Sequence, residues 1–121
     1  MKILICEDDS MTLMALEHRL TQEGYEVLTA ADGNEAKKFL KAGMVDFLLT
    51  DLYMPAVDGL ELISYLRSEL KLNIPVIMLT RVGSEDTILK AFELGADDYI
   101  TKPFSPSELS LRIKRAVMKN G

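Results

Sequence analysis

Ile3-Leu4-Ile5-Cys6-Glu7-Asp8-Asp9 opens the chain with an apolar run that stops abruptly in three carboxylates. A short run with no polar alternation is the pattern of a strand buried on both faces. The carboxylates mark the point where that strand reaches solvent. The run is too brief for a signal-peptide core or a membrane span, which predicts a cytoplasmic protein with no membrane contact. Cys6, the only cysteine, reads as a small buried hydrophobe, and a lone cysteine leaves no disulfide framework within the chain.

Outward from this stretch the same pattern returns. Apolar runs follow at Tyr25–Thr29, Phe47–Thr50, Val76–Leu79 and Asp98–Ile100, the last taking its assignment from position. Helical periodicity fills the gaps. Ser10 suits the N-cap of a first helix carrying Leu13, Leu16 and Leu20 and closed by Gly24. Ala36, Phe39 and Leu40 mark a second helix, closed by Gly43. Ile63, Leu66 and Leu70 mark a third, after Gly59. Ser84 caps a fourth with Ile88, Ala91 and Phe92, closed by Gly95. Ser105-Pro106-Ser107-Glu108 is a capping box with proline at the first helical position, ahead of Leu109, Ile113, Ala116 and Val117. The order is βαβαβαβαβα. It predicts an α/β fold with right-handed crossovers, a parallel sheet and helices on both faces. Two doubly wound strand orders satisfy it equally.

With 121 residues, 48% hydrophobic and 27% charged, the chain reads as one globular domain, residues 1–121, with room for a further domain after Lys119-Asn120-Gly121. A net charge of −5 argues against direct nucleic-acid contact by this domain, since phosphate binding needs clustered Lys and Arg.

In a parallel α/β sheet, ligands sit at the carboxyl edge of the strands. There the first run delivers Glu7-Asp8-Asp9, the third Thr50-Asp51, the fourth Leu79-Thr80, and the fifth leads into Thr101-Lys102-Pro103. Clustered carboxylates repel one another, and a hard divalent cation such as magnesium relieves that repulsion. Lys102 adds a fixed positive charge and Thr80 a hydroxyl. Carboxylate nucleophile, metal, ammonium and hydroxyl together suit phosphoryl transfer, with an aspartate able to form an aspartyl phosphate. The plainer alternative, in which each acid only caps the helix that follows, applies most directly to Asp9.

These residues resemble the bacterial response-regulator receivers over essentially the whole chain. Ile3–Asp9 is similar to the family's first strand with its acidic pair, here Glu7 and Asp8. Leu49-Thr50-Asp51-Leu52-Tyr53-Met54-Pro55, with Asp58-Gly59, resembles the phosphorylation segment. Pro75-Val76-Ile77-Met78-Leu79-Thr80 resembles the strand with the switch hydroxyl. Gly95-Ala96-Asp97-Asp98-Tyr99-Ile100-Thr101-Lys102-Pro103-Phe104 resembles the strand with the aromatic switch and the lysine. The resemblance implies a flavodoxin-like (βα)5 sheet of order 2-1-3-4-5. It implies that Asp51 accepts phosphate from a sensor histidine kinase or phosphotransfer domain. Magnesium or manganese would be held by Asp8, Asp51 and the Tyr53 carbonyl, with Glu7 acting through water. Thr80 and Lys102 would bind the phosphoryl group, Thr80 and Tyr99 would act as switch residues, and the Lys102–Pro103 peptide bond would be cis. Such a protein is no enzyme beyond catalysing its own phosphorylation and dephosphorylation.

Arg81 departs from the pattern, which favours a small residue there; a long cation at this position would partly cover the pocket, contact the phosphoryl group or point into solvent. The mixed charges Glu93, Asp97, Asp98, Glu108, Arg112, Lys114 and Lys119 resemble the dimer face of receivers joined to winged-helix domains, although Ile88 stands where a basic residue is usual. His18 has no metal-ligand company and reads as a surface residue. Two other functions compete with the signalling switch. A receiver-like module that binds without phosphorylation would be favoured by loss of the acidic pair, Asp51 or Lys102. A small-molecule phosphohydrolase would need a cap or specificity insert that this length does not hold.

Overall fold

The unbroken apolar runs form a sheet with two buried faces. The computed structural model describes residues 1–81 and 84–120. Strands β1 (Lys2–Cys6), β2 (Glu26–Ala30), β3 (Phe47–Asp51), β4 (Val76–Thr80) and β5 (Asp98–Thr101) pair in parallel in the order β2-β1-β3-β4-β5. They alternate with helices α1 (Ser10–Gln22), α2 (Gly33–Lys41), α3 (Gly59–Ser64), α4 (Glu85–Leu94) and α5 (Pro106–Asn120). Of the two strand orders the pattern allowed, this is the flavodoxin-like one. Alternate residues feed two cores. Ile3, Ile5, Phe47, Leu49, Ile77 and Leu79 meet Leu16 and Leu20 of α1 and Leu109 and Ile113 of α5. Leu4, Cys6, Leu48, Val76 and Met78 meet Ala36 and Leu40 of α2, Leu62 and Ile63 of α3 and Ala91 of α4. Burial on both faces drives the strands inward at roughly 25 cal/mol per Å² of apolar surface removed from water.

Several boundaries differ from expectation for local reasons. The second strand begins at Glu26 because Tyr25 still closes α1, its N–H donating to Leu20 O at 3.2 Å. Strands β3, β4 and β5 each run one residue further than expected, so Asp51, Thr80 and Thr101 belong to the ladder itself. Asp9, not Ser10, caps α1: its carboxylate accepts from Thr12 N–H at 3.2 Å, and a carboxylate at this position also suits the helix dipole. Ser84 and Ser105 cap α4 and α5 as expected, accepting from Thr87 and Glu108 N–H. The carboxylate of Glu108 turns to Arg112 at 3.1 Å.

The third helix is not continuous. After Ser64 the chain widens into a π-helical turn over Tyr65–Glu69, closed by Leu70 N–H donating to Tyr65 O at 3.0 Å. This turn carries Arg67, whose guanidinium donates to Gly95 O (2.8 Å), Leu72 O (2.9 Å), Ile74 O (2.6 Å) and Asp97 (3.2 Å). Asp97 also accepts from Val76 N–H at 2.8 Å. Asp97 is therefore a structural acid at the start of β4, not a free surface charge. Asp98 is 8% exposed and bridges Arg112 and Arg115, both at 2.8 Å. His18 lies on the surface. Helix α5 runs through Asn120, and Gly121, where a linker was expected to begin, lies outside the described residues.

Candidate functional site

The strand register brings the acidic segments together. Cys6 pairs with Thr50 and Asp51 with Leu79, so β1 and β3 end side by side. Glu7, Asp8 and Asp51 each place a carboxylate oxygen within 4.8 Å of the others. Glu7 and Asp51 are buried, at 1% and 7% exposure, while Asp8 is exposed at the mouth. Lys102, just beyond β5, reaches across: its Nζ lies 3.1 Å from Asp51 Oδ2 and also donates to Glu7 Oε1. Backbone donors fix two of the acids. Asp9 N–H donates to Glu7 Oε2 at 3.1 Å, and Tyr53 N–H to Asp51 Oδ1 at 3.3 Å. The resulting cleft, about 320 Å³, is lined by Glu7, Asp8, Asp9, Thr12, Asp51, Tyr53, Arg81 and Lys102.

Its electrostatics follow from burial. Loss of water pushes the Glu7 carboxyl above its usual range, against the hydrogen bonds from Lys102 and Asp9 N–H that favour its charge. Burial also works against the Lys102 ammonium, but hydrogen bonds to Glu7 and Asp51 and their negative charge outweigh it and hold its pKa above the ordinary value. Lys102 therefore stays charged. Hard oxygen donors gathered around an acid-rich, partly dehydrated cleft fit a divalent cation of the magnesium type, with Asp8, Asp51 and Glu7 as the available side chains.

Asp9 lines the same cleft, yet its carboxylate is held by Thr12, through both the backbone N–H and the hydroxyl. These bonds keep Asp9 strongly ionised, below the usual carboxylate range. Thr12 is a wall of the cleft that the sequence reading did not name. The Asp9-x-x-Thr12 spacing, which places the threonine on the capping carboxylate, was the available signal. Gly59, read from the sequence as part of the phosphorylation segment, also packs against the acidic strand. Its N–H donates to Leu52 O at 2.8 Å, and a Cβ at this position would lie 2.5 Å from Asp51 O and 2.9 Å from Leu52 Cα. The start of α3 thus rests directly on the backbone of the acidic strand.

Thr80 is fully buried at the end of β4, and its hydroxyl has no hydrogen-bond partner among the described residues. An unsatisfied buried hydroxyl costs about 1–3 kcal/mol, so its persistence calls for a functional explanation. The Lys102–Pro103 peptide bond is cis, and Lys102 N–H donates to Thr80 O at 2.6 Å, tying the two strand ends together. Tyr99 is half-buried against the core cluster that includes Ala91 of α4, with its hydroxyl shielded from solvent. Tyr53 is 56% exposed at the rim.

Comparison with known proteins places this geometry. The chain is 40% identical to the alkaline phosphatase synthesis transcriptional regulatory protein PhoP of Bacillus subtilis, over 98% of this chain and 49% of that protein. It is 41% identical to the phosphate regulon transcriptional regulatory protein PhoB of Pseudomonas aeruginosa, over 98% of this chain and 52% of that one. It therefore spans about half the length of these curated relatives. Its fold superposes on a CheY-like response regulator receiver domain protein from Methanospirillum hungatei with a TM-score of 0.93 at 31% identity, covering 98% of this chain and 94% of the other. The sequence profile of the response regulator receiver domain matches residues 3–114, and the chain belongs to that family.

Proposed function

We propose that this receiver domain is a phosphorylation-gated switch that accepts a phosphoryl group on Asp51. The observation that carries the reading is the convergence of three carboxylates with the Lys102 ammonium, 3.1 Å from Asp51, at one sheet edge. An Asp51 carboxylate oxygen attacks the phosphorus of a phosphohistidine on a sensor kinase or phosphotransfer domain. The P–N bond breaks, and its electron pair returns to the imidazole. Lys102 neutralises charge on the equatorial oxygens and orients them, work that is mostly electrostatic in this chemistry. Glu7, Asp8, Asp51 and the Tyr53 carbonyl would hold magnesium or manganese, which supplies charge neutralisation between acceptor and phosphoryl oxygens when bound.

The phosphoryl group adds up to two negative charges and three acceptor oxygens. Thr80, with its unsatisfied hydroxyl next to Lys102 in the hydrogen-bond network, donates to one of them. That contact biases the face formed by α4, β5 and α5, with Tyr99 beneath it, where a partner or a second copy reads the change. The net charge of −5 disfavours nucleic-acid contact by this domain, so DNA contact, where the whole protein makes it, belongs to another part of that protein. The domain works in the cytoplasm, where its kinase would meet it. The test is incubation with acetyl phosphate with and without magnesium, followed by mass mapping. Acid-labile phosphate on Asp51, dependent on the ion and absent in Asp51→Asn, is expected. Equal labelling of that variant would overturn the assignment.

A further inference from the structure

The charge inventory of the cleft leaves one cation unaccounted for. Four carboxylates line it, those of Glu7, Asp8, Asp9 and Asp51, together with two cations, Lys102 and Arg81. Lys102 is engaged by Glu7 and Asp51. Asp9 is engaged by Thr12. Arg81 is exposed and has no ion pair among the described residues, although it shares the cleft with all four acids. Its base is fixed: it follows Thr80, which pairs with Thr101 and whose carbonyl accepts from Lys102 N–H at 2.6 Å. Arg81 also lines the adjoining hollow formed by Thr12, Lys102, Pro103 and Phe104, so it stands on the rim between the two, on the side of Lys102.

We propose that Arg81 is a second phosphoryl-binding cation, acting from the solvent side of the cleft on the group that Asp51 accepts. The proposal rests on the phosphoacceptor reading above and deepens it. A phosphoryl group on Asp51 projects away from the buried carboxylates and into the cleft that Arg81 overlooks. Guanidinium is the side chain best shaped for bidentate bonding to phosphoryl oxygens. Lys102 already faces Asp51 and Glu7, and it can neutralise only part of the charge a dianion brings. In this role Arg81 selects for donors that arrive as phosphate dianions and holds the transferred group in place. With acetyl phosphate as donor, an Asp51 oxygen bonds to phosphorus as the P–O bond to the acetyl group breaks. Acetate leaves with the electron pair, and no proton is required.

The experiment compares the parent protein with Arg81→Ala and Arg81→Lys, each checked for an unchanged circular dichroism spectrum. Two quantities are read: the half-saturating concentration of acetyl phosphate for Asp51 labelling, and the affinity for beryllofluoride in the presence of magnesium. Arg81→Ala is expected to weaken both about three- to tenfold, the effect of an exposed charge-assisted contact screened by solvent. Arg81→Lys is expected to recover only part, because it restores charge without the fork. Raising salt from 0.05 to 0.5 M should lower labelling of the parent more steeply than that of Arg81→Ala. Parental values for Arg81→Ala in both measurements would overturn the role of Arg81 while leaving Asp51 as acceptor. Absence of labelling at Asp51 in the parent would overturn both.

Discussion

The Nζ of Lys102 lies 3.1 Å from Asp51 Oδ2 while also donating to Glu7, so a single ammonium bridges two buried carboxylates. A divalent ion entering the cleft must share those acids with it. Lys102→Ala should therefore bind magnesium several-fold more tightly than the parent, since one positive charge is gone from the site. Labelling by acetyl phosphate should nevertheless fall about a hundredfold, the scale seen when one preorganised electrostatic donor is lost. Isothermal titration and phosphate mapping give the two numbers. Weaker magnesium binding would mean that the lysine positions the acids more than it competes for them.

Neighbouring acids should differ sharply in their effect on the ion. Asp8 offers its carboxylate to the cluster, whereas Asp9 is held by the Thr12 backbone and hydroxyl. Asp8→Ala is expected to weaken magnesium binding at least tenfold. Asp9→Ala should leave it within about twofold and instead lower thermal stability through the lost N-cap. Equal losses of affinity in a magnesium titration would contradict this division of labour.

Thr80 is the place to separate chemistry from signal. Thr80→Ala removes a buried hydroxyl that has no partner among the described residues, so the fold should lose little and Asp51 should still be labelled. Amide shifts on α4 and around Tyr99 in response to beryllofluoride should shrink to a small fraction of the parent's. A full-sized response would show that the change reaches the α4-β5-α5 face by another route.

Gly59→Ala tests the contact between α3 and the acidic strand. The added methyl would lie 2.5 Å from the Asp51 carbonyl oxygen, with Leu52 Cα and Met78 close behind, so backbone has to move. We expect a loss of about 1–3 kcal/mol in denaturant unfolding together with slower Asp51 labelling. Stability lost with labelling unchanged would show that the strain relaxes into α3 and not into Asp51.

Cys6 supplies a pH prediction. Burial is the main reason its thiol pKa is pushed up to about 12 from an ordinary 9.0, and Thr50 opposes that shift only in part. The folded state thus binds the thiol proton more tightly than the unfolded chain. That contribution to stability is fully present below about pH 9 and is lost as the pH rises toward 12. At pH 8 the native protein should react with iodoacetamide at least a hundredfold more slowly than the denatured chain. Comparable rates would mean that Cys6 is reached through local opening.

The fold was largely legible because strands buried on both faces leave unbroken apolar runs, and the helix caps leave Ser84, Ser105 and Gly95 in place. The strand order was not legible from pattern, because both orders bury the same residues. The π-helical turn escaped because Ile63 and Leu66 keep helical spacing across its start; what widens the turn is its closure at Tyr65 O, a backbone feature with no periodic signature. The cleft residues Glu7, Asp8, Asp51 and Lys102 were legible as chemistry at strand ends. Thr12 was overlooked although its spacing from Asp9 is local, and the close approach of Gly59 to the Asp51 backbone was not legible because it is a tertiary contact. Asp97 misled for the same reason: a charge beside a surface strand reads as solvated until Arg67, on the distant π-helical turn, is seen to meet it.

The cleft is assembled from distant parts of the chain: Glu7 and Lys102 are 95 positions apart, and Asp51 and Lys102 are 51 apart. During synthesis, a chain that has emerged only as far as β4 carries the three carboxylates of Glu7, Asp8 and Asp51 but not the ammonium that faces them. On the proposed reading, competence to accept phosphate requires β5 beside β4, with Lys102 across the sheet edge. If Asp51 is the acceptor proposed above, a copy clipped before β5 should take up phosphate poorly and compete little for it with intact molecules.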